Sequence, residues 1–309
     1  MAEPQFQIKR LDQKSPCLLC GKAERVESHI IPQFVFRDLR ETSTTGFLRN
    51  TMTPNVRRQG GPWDYLICKK CEALFSRWEN QFARDVFRPT LNSGQRHHLR
   101  YGPWLALFAT SLTWRVLVYE REHPEFTHPQ IPDWSVTDPV EEAWRECLLG
   151  SRKHPGKYEQ HLLLIDYVVD TTLPVPRNLN RFLKRSTDFR VMSSGHDTVV
   201  YSRLPNFMFF GLGDLRGRAF SGSTRVGFSG GVLGGPKINV PKFIWDFIVE
   251  SANKADVAHS SMSDKQQRLV AEGWRSDPER AVRSSMFEAL RYDYALSGEG
   301  VLRRPTKSK

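Results

Sequence analysis

The stretch CLLCGKAERVESHIIPQF, Cys17 to Phe34, decides the fold once it is set beside CKKCE, Cys68 to Glu72. Each stretch holds a Cys-x-x-Cys pair. One such turn offers two sulfurs to a single ion, and two turns together complete a tetrahedral four-thiolate site. The chain has five cysteines in 309 residues, too few for a disulfide scaffold of this length, so the pairs point to a metal. Cys17, Cys20, Cys68 and Cys71 are read as ligands of a structural zinc ion. Gly21 follows the second cysteine and suits the tight turn of a knuckle, because glycine accepts positive φ cheaply. Cys147 falls in the helical pattern EEAWRECLL and is expected as a small buried thiol.

Outward from the knuckles, VESHII reads as a short strand and PQFVFRDLRET as a helix with Pro32 near its first turn. Residues 42–63 are turn-rich and basic, a loop or weak hairpin ending at Gly60, Gly61 and Pro62. Tyr65 to Ile67 leads as a strand into the second knuckle. The helix that follows carries Leu74, Phe75, Trp78, Phe82, Val86 and Phe87 at spacings of three and four, and Pro89 is expected to end it.

Composition sets limits on class. Hydrophobic residues make up 39% and charged residues 26%, an ordinary globular balance. No apolar run reaches the roughly 18 residues of a membrane span, and MAEPQFQIKRLDQ lacks an apolar signal region, so a cytoplasmic protein with no membrane partner is expected. The net charge is +11, and residues 1–100 hold most of the excess, with 17 Lys and Arg against 10 Asp and Glu. Excess positive charge favours polyanions, nucleic acid first.

The rest of the chain is expected to form a mixed domain. The division is 1–95 for the cysteine-bearing module and 96–309 for a larger domain: helical over 103–149, β-rich over 160–235, helical over 241–296, with a basic tail at 303–309. Residues 123–139 read as a linker with four prolines. Ser263 and Asp277 are expected as helix N-caps, the latter with Pro278 at the first helical position. The fold class is α+β.

The order CLLC, then Ser28-His29-Ile30-Ile31-Pro32, then CKKCE resembles the HNH (His-Me finger, ββα-metal) endonucleases that carry a pair of zinc knuckles. The resemblance covers residues 15–90. It implies a ββα-metal module in which His29 is the general base that takes a proton from a water attacking a phosphodiester. It also implies a catalytic Mg or Mn ion beside the phosphate. A histidine suits that role because its ordinary pKa of about 6.5 lies near working pH.

Three positions depart from the family pattern. Ser28 stands where an acidic metal ligand often precedes the histidine. The middle asparagine has no clear match, with Asn50 and Asn55 as candidates by order and Asp64 by its closeness to Cys68. Glu72 stands on the helix where Asn or His is common. A carboxylate there can replace the one missing at Ser28, and Glu79 lies seven residues on, along the same helical face. Glu72 is thus a second catalytic candidate, and Glu72, Glu79 and Asp64 are candidate ligands of the catalytic ion.

Arg49, Arg57, Arg58, Lys69 and Lys70 are candidate nucleic-acid contacts. His97 and His98 form an exposed pair, and GLGDLRG, residues 211–217, does not fit a phosphate-loop pattern. The functional expectation is a metal-dependent endonuclease acting on nucleic acid, DNA before RNA, with the larger domain receiving a protein partner or activator. By analogy with bacterial HNH proteins, defence against phage or foreign DNA is the expected setting. The other reading is a zinc module without catalysis that binds nucleic acid or protein.

Overall fold

A computed structural model describes residues 9–93, 98–124, 133–194, 197–213, 222–234 and 241–302. Strands β1 (Val26–His29) and β2 (Trp63–Ile67) pair antiparallel, with Ser28 opposite Asp64 and His29 opposite Trp63. Between them lies helix α1 (Gln33–Glu41), which buries Val35, Phe36 and Leu39. The rest of the connection is held as a weak hairpin by a single bridge between Leu48 and Arg58. Helix α2 (Lys69–Phe82) starts at the second knuckle with Cys68 as its N-cap.

Pro89 does not end this helix. The chain widens into a π-helical turn at Ala83–Phe87, in which the Arg88 N–H bonds to the Ala83 carbonyl, and continues as α3 (Arg88–Ser93). Pro89 occupies the first turn of α3, where a missing N–H costs little.

Next come β3 (Leu99–Tyr101), α4 (Trp104–Glu122) and α5 (Asp138–Leu149). Pro139 sits in the first turn of α5, so that helix begins inside the stretch expected to be linker. The strands β4 (Gln160–Leu164), β5 (Asp188–Ser194), β6 (Asp197–Leu204) and β7 (Phe207–Leu212) follow, with α6 (Leu179–Arg185) between β4 and β5. They form one antiparallel sheet in the order β4-β7-β6-β5. β8 (Gly231–Leu233) pairs with β3. The chain closes with α7 (Lys242–Ser260), α8 (Asp264–Ser276), α9 (Pro278–Arg283) and α10 (Ser285–Ser297). Ser263 caps α8 by accepting from the Gln266 N–H, and Asp277 caps α9 by accepting from the Arg280 N–H. The class is α+β.

Helix α4 is central because it is apolar on every side: Leu105 to Tyr119 is buried almost without interruption. It packs on α2, α5 and the four-stranded sheet. The Phe82 ring of α2 stacks on Phe108 of α4 at 4.3 Å and meets Phe209 of β7 edge-on at 5.7 Å. Ile31, Val35, Phe82 and Phe87 share one buried cluster with Leu105, Phe108, Leu162, Phe207 and Phe209. Packing therefore runs straight across residue 95, and the knuckle-bearing part has no closed core of its own.

Phe82 joins three elements in that cluster, so Phe82→Ala is expected to destabilise the whole chain by about 3–5 kcal/mol. Denaturant unfolding monitored by circular dichroism should show one cooperative transition at a lower midpoint. A separate early transition confined to the cysteine module would contradict this account.

Candidate metal centre and the adjacent histidine strand

The first knuckle is a tight turn. Gly21 adopts φ +70° and its N–H donates to the Cys17 carbonyl at 2.8 Å, while the Cys20 N–H points at Cys17 Sγ at 3.4 Å. The Leu18 N–H donates to the Leu66 carbonyl, which lays this turn against the end of β2. The second knuckle spans the entry to α2, with Cys68 at the cap and Cys71 in the first turn.

All four sulfurs lie within 4.8 Å of one another, and Cys20 and Cys68 Sγ are 3.7 Å apart. A tetrahedral zinc–thiolate site with bonds of about 2.3 Å has sulfurs about 3.8 Å apart. The tetrad can thus hold a metal ion such as zinc. Its electrostatics suit a bound cation. Burial pushes the Cys17 thiol up and Cys71 further still, the latter reinforced by repulsion from Cys17. Burial also opposes ionisation of Cys20, but the Lys22 N–H and the neighbouring thiols outweigh it and bring that group to about 7. Four crowded thiols ionise together only beside a positive ion.

β1 leaves this centre with its side chains alternating. Ser28 is fully buried and faces α2, while His29 lies on the other face with Glu27. Ser28 Oγ donates to Glu72 Oε2 at 2.9 Å. Burial raises the Glu72 carboxyl above its usual range; Arg115 opposes this, Glu79 adds to it and the Ser28 hydrogen bond opposes it. Glu79 accepts a 2.6 Å ion pair from Arg115 Nη2, and Arg115 Nη1 donates to the His29 carbonyl at 2.8 Å. Burial lowers the His29 pKa, with Glu27 opposing and Arg115 assisting. The His29 ring has no hydrogen bond among the described residues.

The expected residues thus take different places. Glu72 stands at the Ser28 side chain. Glu79 is engaged by Arg115. Asp64 is buried, and its carboxylate accepts from the Leu11 and Tyr65 N–H groups at 2.9 and 2.7 Å and meets His123 Nε2 at 2.7 Å. Burial opposes its charge, but these hydrogen bonds prevail and hold its pKa low. Among the described residues the cysteine tetrad is the one group of three or more His, Cys, Asp or Glu ligand atoms close enough for a metal. Glu72, Glu79, Asp64 and His29 are not gathered into a second such cluster.

Asn50 accepts from Thr53 within its own loop, and Asn55 accepts from the Ser263 N–H of the α8 cap. Lys69 and Lys70 are exposed at the start of α2. Arg49 and Arg57 reach Gln266, and Arg58 donates to Thr53. His98 is exposed; His97 and residues 214–217 lie outside the described residues. Cys147 is buried, as its helical pattern implies.

Sequence reasoning missed Arg115 and His123, the two groups of α4 and its C-cap that hold the β1–β2 pair, at the His29 carbonyl and at Asp64 respectively. The available signal was a lone arginine inside the apolar run Trp104 to Tyr119. No family model, curated protein or solved structure gives a significant match to this chain.

The tetrad predicts close to one zinc per chain by atomic absorption. Cys68→Ser should lose most of that metal and melt at a markedly lower temperature, because metal binding to such a site is coupled to folding. Full metal content with an unchanged melting temperature would refute the four-cysteine centre.

Proposed function

We propose that this chain is a metal-dependent endonuclease of the HNH type, with His29 as general base. The observation that carries the proposal is the 2.9 Å hydrogen bond between Ser28 and Glu72. It sets a carboxylate from α2 beside the residue before the histidine, where the family resemblance calls for one, on the strand face opposite the His29 side chain. The β1–β2–α2 order, clamped at its base by the cysteine tetrad, supports the same reading.

On this reading His29 removes a proton from water as its oxygen attacks phosphorus. Its ring has no hydrogen bond among the described residues, and burial keeps it neutral at pH values where an exposed histidine begins to charge. Glu72, half-buried with Ser28 beside it, would hold a Mg or Mn ion. One carboxylate with several waters is an ordinary protein contribution to magnesium. Such an ion supplies charge stabilisation at the phosphate and the leaving oxygen. Lys69 and Lys70, exposed at the start of the same helix, are placed to meet backbone phosphates. The structural ion at the tetrad is zinc.

A second reading has its own support. Arg115 engages Glu79 and His123 engages Asp64, so of the three candidate carboxylates only Glu72 is left to serve the ion. A module that binds nucleic acid or protein without cleaving it is consistent with that economy.

The test is plasmid cleavage with Mg²⁺ or Mn²⁺. His29→Ala should lower the rate by about 10²–10⁴-fold, the usual contribution of a general base. Glu72→Gln should keep the Ser28 contact but require far more divalent ion. The wild-type rate should rise with pH with its midpoint below the ordinary histidine pKa of about 6.5, because a lowered pKa leaves the base neutral at lower pH. Cleavage unchanged in His29→Ala sinks the base assignment, and no cleavage by wild type on any nucleic acid favours the binding module.

A further inference from the structure

Residues 42–63 contain three arginines and no acidic residue. Two of them converge on one atom of the C-terminal helices. Arg49 Nη2 and Arg57 Nε donate to Gln266 Oε1 of α8 at 3.1 and 3.4 Å. An amide oxygen carries no net charge, so two guanidinium ions meet there without a counterion. Neither forms an ion pair with a carboxylate among the described residues, and Arg49 Nε is buried with no hydrogen-bond partner. Arg57 is exposed, with its guanidinium over the Phe47 ring, whereas Arg49 is half-buried, so the charge of Arg49 is the costlier one to leave without a counterion.

The convergence is not what holds the loop on the helices. Asn55 Oδ1 accepts from the Ser263 N–H at 2.7 Å, and Arg280 Nη2 donates to the Glu41 carbonyl at 2.7 Å. Gly273 of α8 lies so close to the loop that a Cβ would meet the Thr44 carbonyl oxygen at 2.9 Å. Contacts other than those of Arg49 and Arg57 thus fix the loop on the helices.

A cavity of about 450 Å³ begins at the next residue of α8, lined among others by Gln267, His259, Trp274, Arg181, Arg275 and Asp256, whose carboxylate is paired with Arg177. That is the size of a small-ligand pocket. Arg181 is paired with Asp293, but Arg275 at its edge has no ion pair among the described residues. His259 lies within the electrostatic reach of Arg49. The half-buried Trp274 packs near Phe287 and offers an aromatic wall.

We propose that Arg49, Arg57 and Gln266 form a phosphate-binding position for a nucleic-acid strand, which continues into the adjacent cavity toward Trp274. The phosphodiester oxygens supply the missing negative charge, and two adjacent guanidinium groups match their geometry. An indole in the same cavity suits an unstacked base. This position is built from the loop and α8, not from the histidine strand, so it stands whether or not the chain cleaves its ligand.

Binding of a labelled single-stranded oligonucleotide, followed by fluorescence anisotropy without divalent ions, tests the proposal in the full chain. Arg49→Gln/Arg57→Gln should bind about tenfold more weakly or worse. Its plot of log affinity against log salt should be shallower by about 0.7, the loss of one single-strand phosphate contact. Without nucleic acid the double variant should melt at the same or a higher temperature, since like charges have been removed. Unchanged affinity and salt slope would overturn the proposal. So would a lower melting temperature accompanying the weakened binding, which would make the pair structural. Competition by adenosine monophosphate as effective as by an equal nucleotide concentration of strand would overturn the strand as ligand.

Discussion

Four thiols crowded within 4.8 Å impose the constraint on which the rest of this structure depends. They come from two turns separated by α1 and the whole basic loop. Bringing such distant ends together carries a loop-closure cost that local hydrogen bonds do not repay by themselves. A cation that fixes all four sulfurs offsets that cost and also resolves the repulsion that ionised thiolates would otherwise create. Once the turns are joined, β1 must leave the first knuckle beside β2, and α2 must leave the second knuckle across the same two strands. The positions of Ser28, His29 and Glu72 follow from that junction.

The junction alone does not hold the histidine strand in place. Two buried links tie it to α4. Arg115, fully buried, is satisfied by the Ser111 carbonyl, the His29 carbonyl and Glu79. His123, at the C-cap of α4, meets Asp64 on the neighbouring strand. A buried guanidinium with one partner removed is strongly destabilising, by about 3–5 kcal/mol for such pairs. The apolar helix that centres the core therefore also sets the height of the strand, and residues beyond the knuckle module become part of the candidate site. No helix among the described residues is long and apolar enough to cross a membrane, α4 included.

Much of the local structure was legible from residue pattern. The two knuckles, the short strand at His29, the helix after Cys71 and the caps at Ser263 and Asp277 all have signals within a few residues of themselves. Edge strand β5 was not legible, because DFRVMSS has a weak alternation and lies at the border of its sheet. Helix α6 is too short for a period to show. Pro89 misled because the rule that proline stops a helix does not foresee a π-helical turn that resets the hydrogen bonding just before it.

The sequence by itself determined the cysteine tetrad that can hold a metal ion, since cysteine spacing and thiolate chemistry are local properties. It also determined the α+β class through the switch from helical to alternating periodicity. The fates of the carboxylates were decided only by tertiary structure. Glu72, Glu79 and Asp64 read alike along the chain, yet one meets Ser28, one meets Arg115 and one meets His123. The same holds for the arginines of the loop, whose shared acceptor lies more than two hundred residues away on α8. Charge is written in the sequence, but whether a charge is compensated depends on what the fold places beside it.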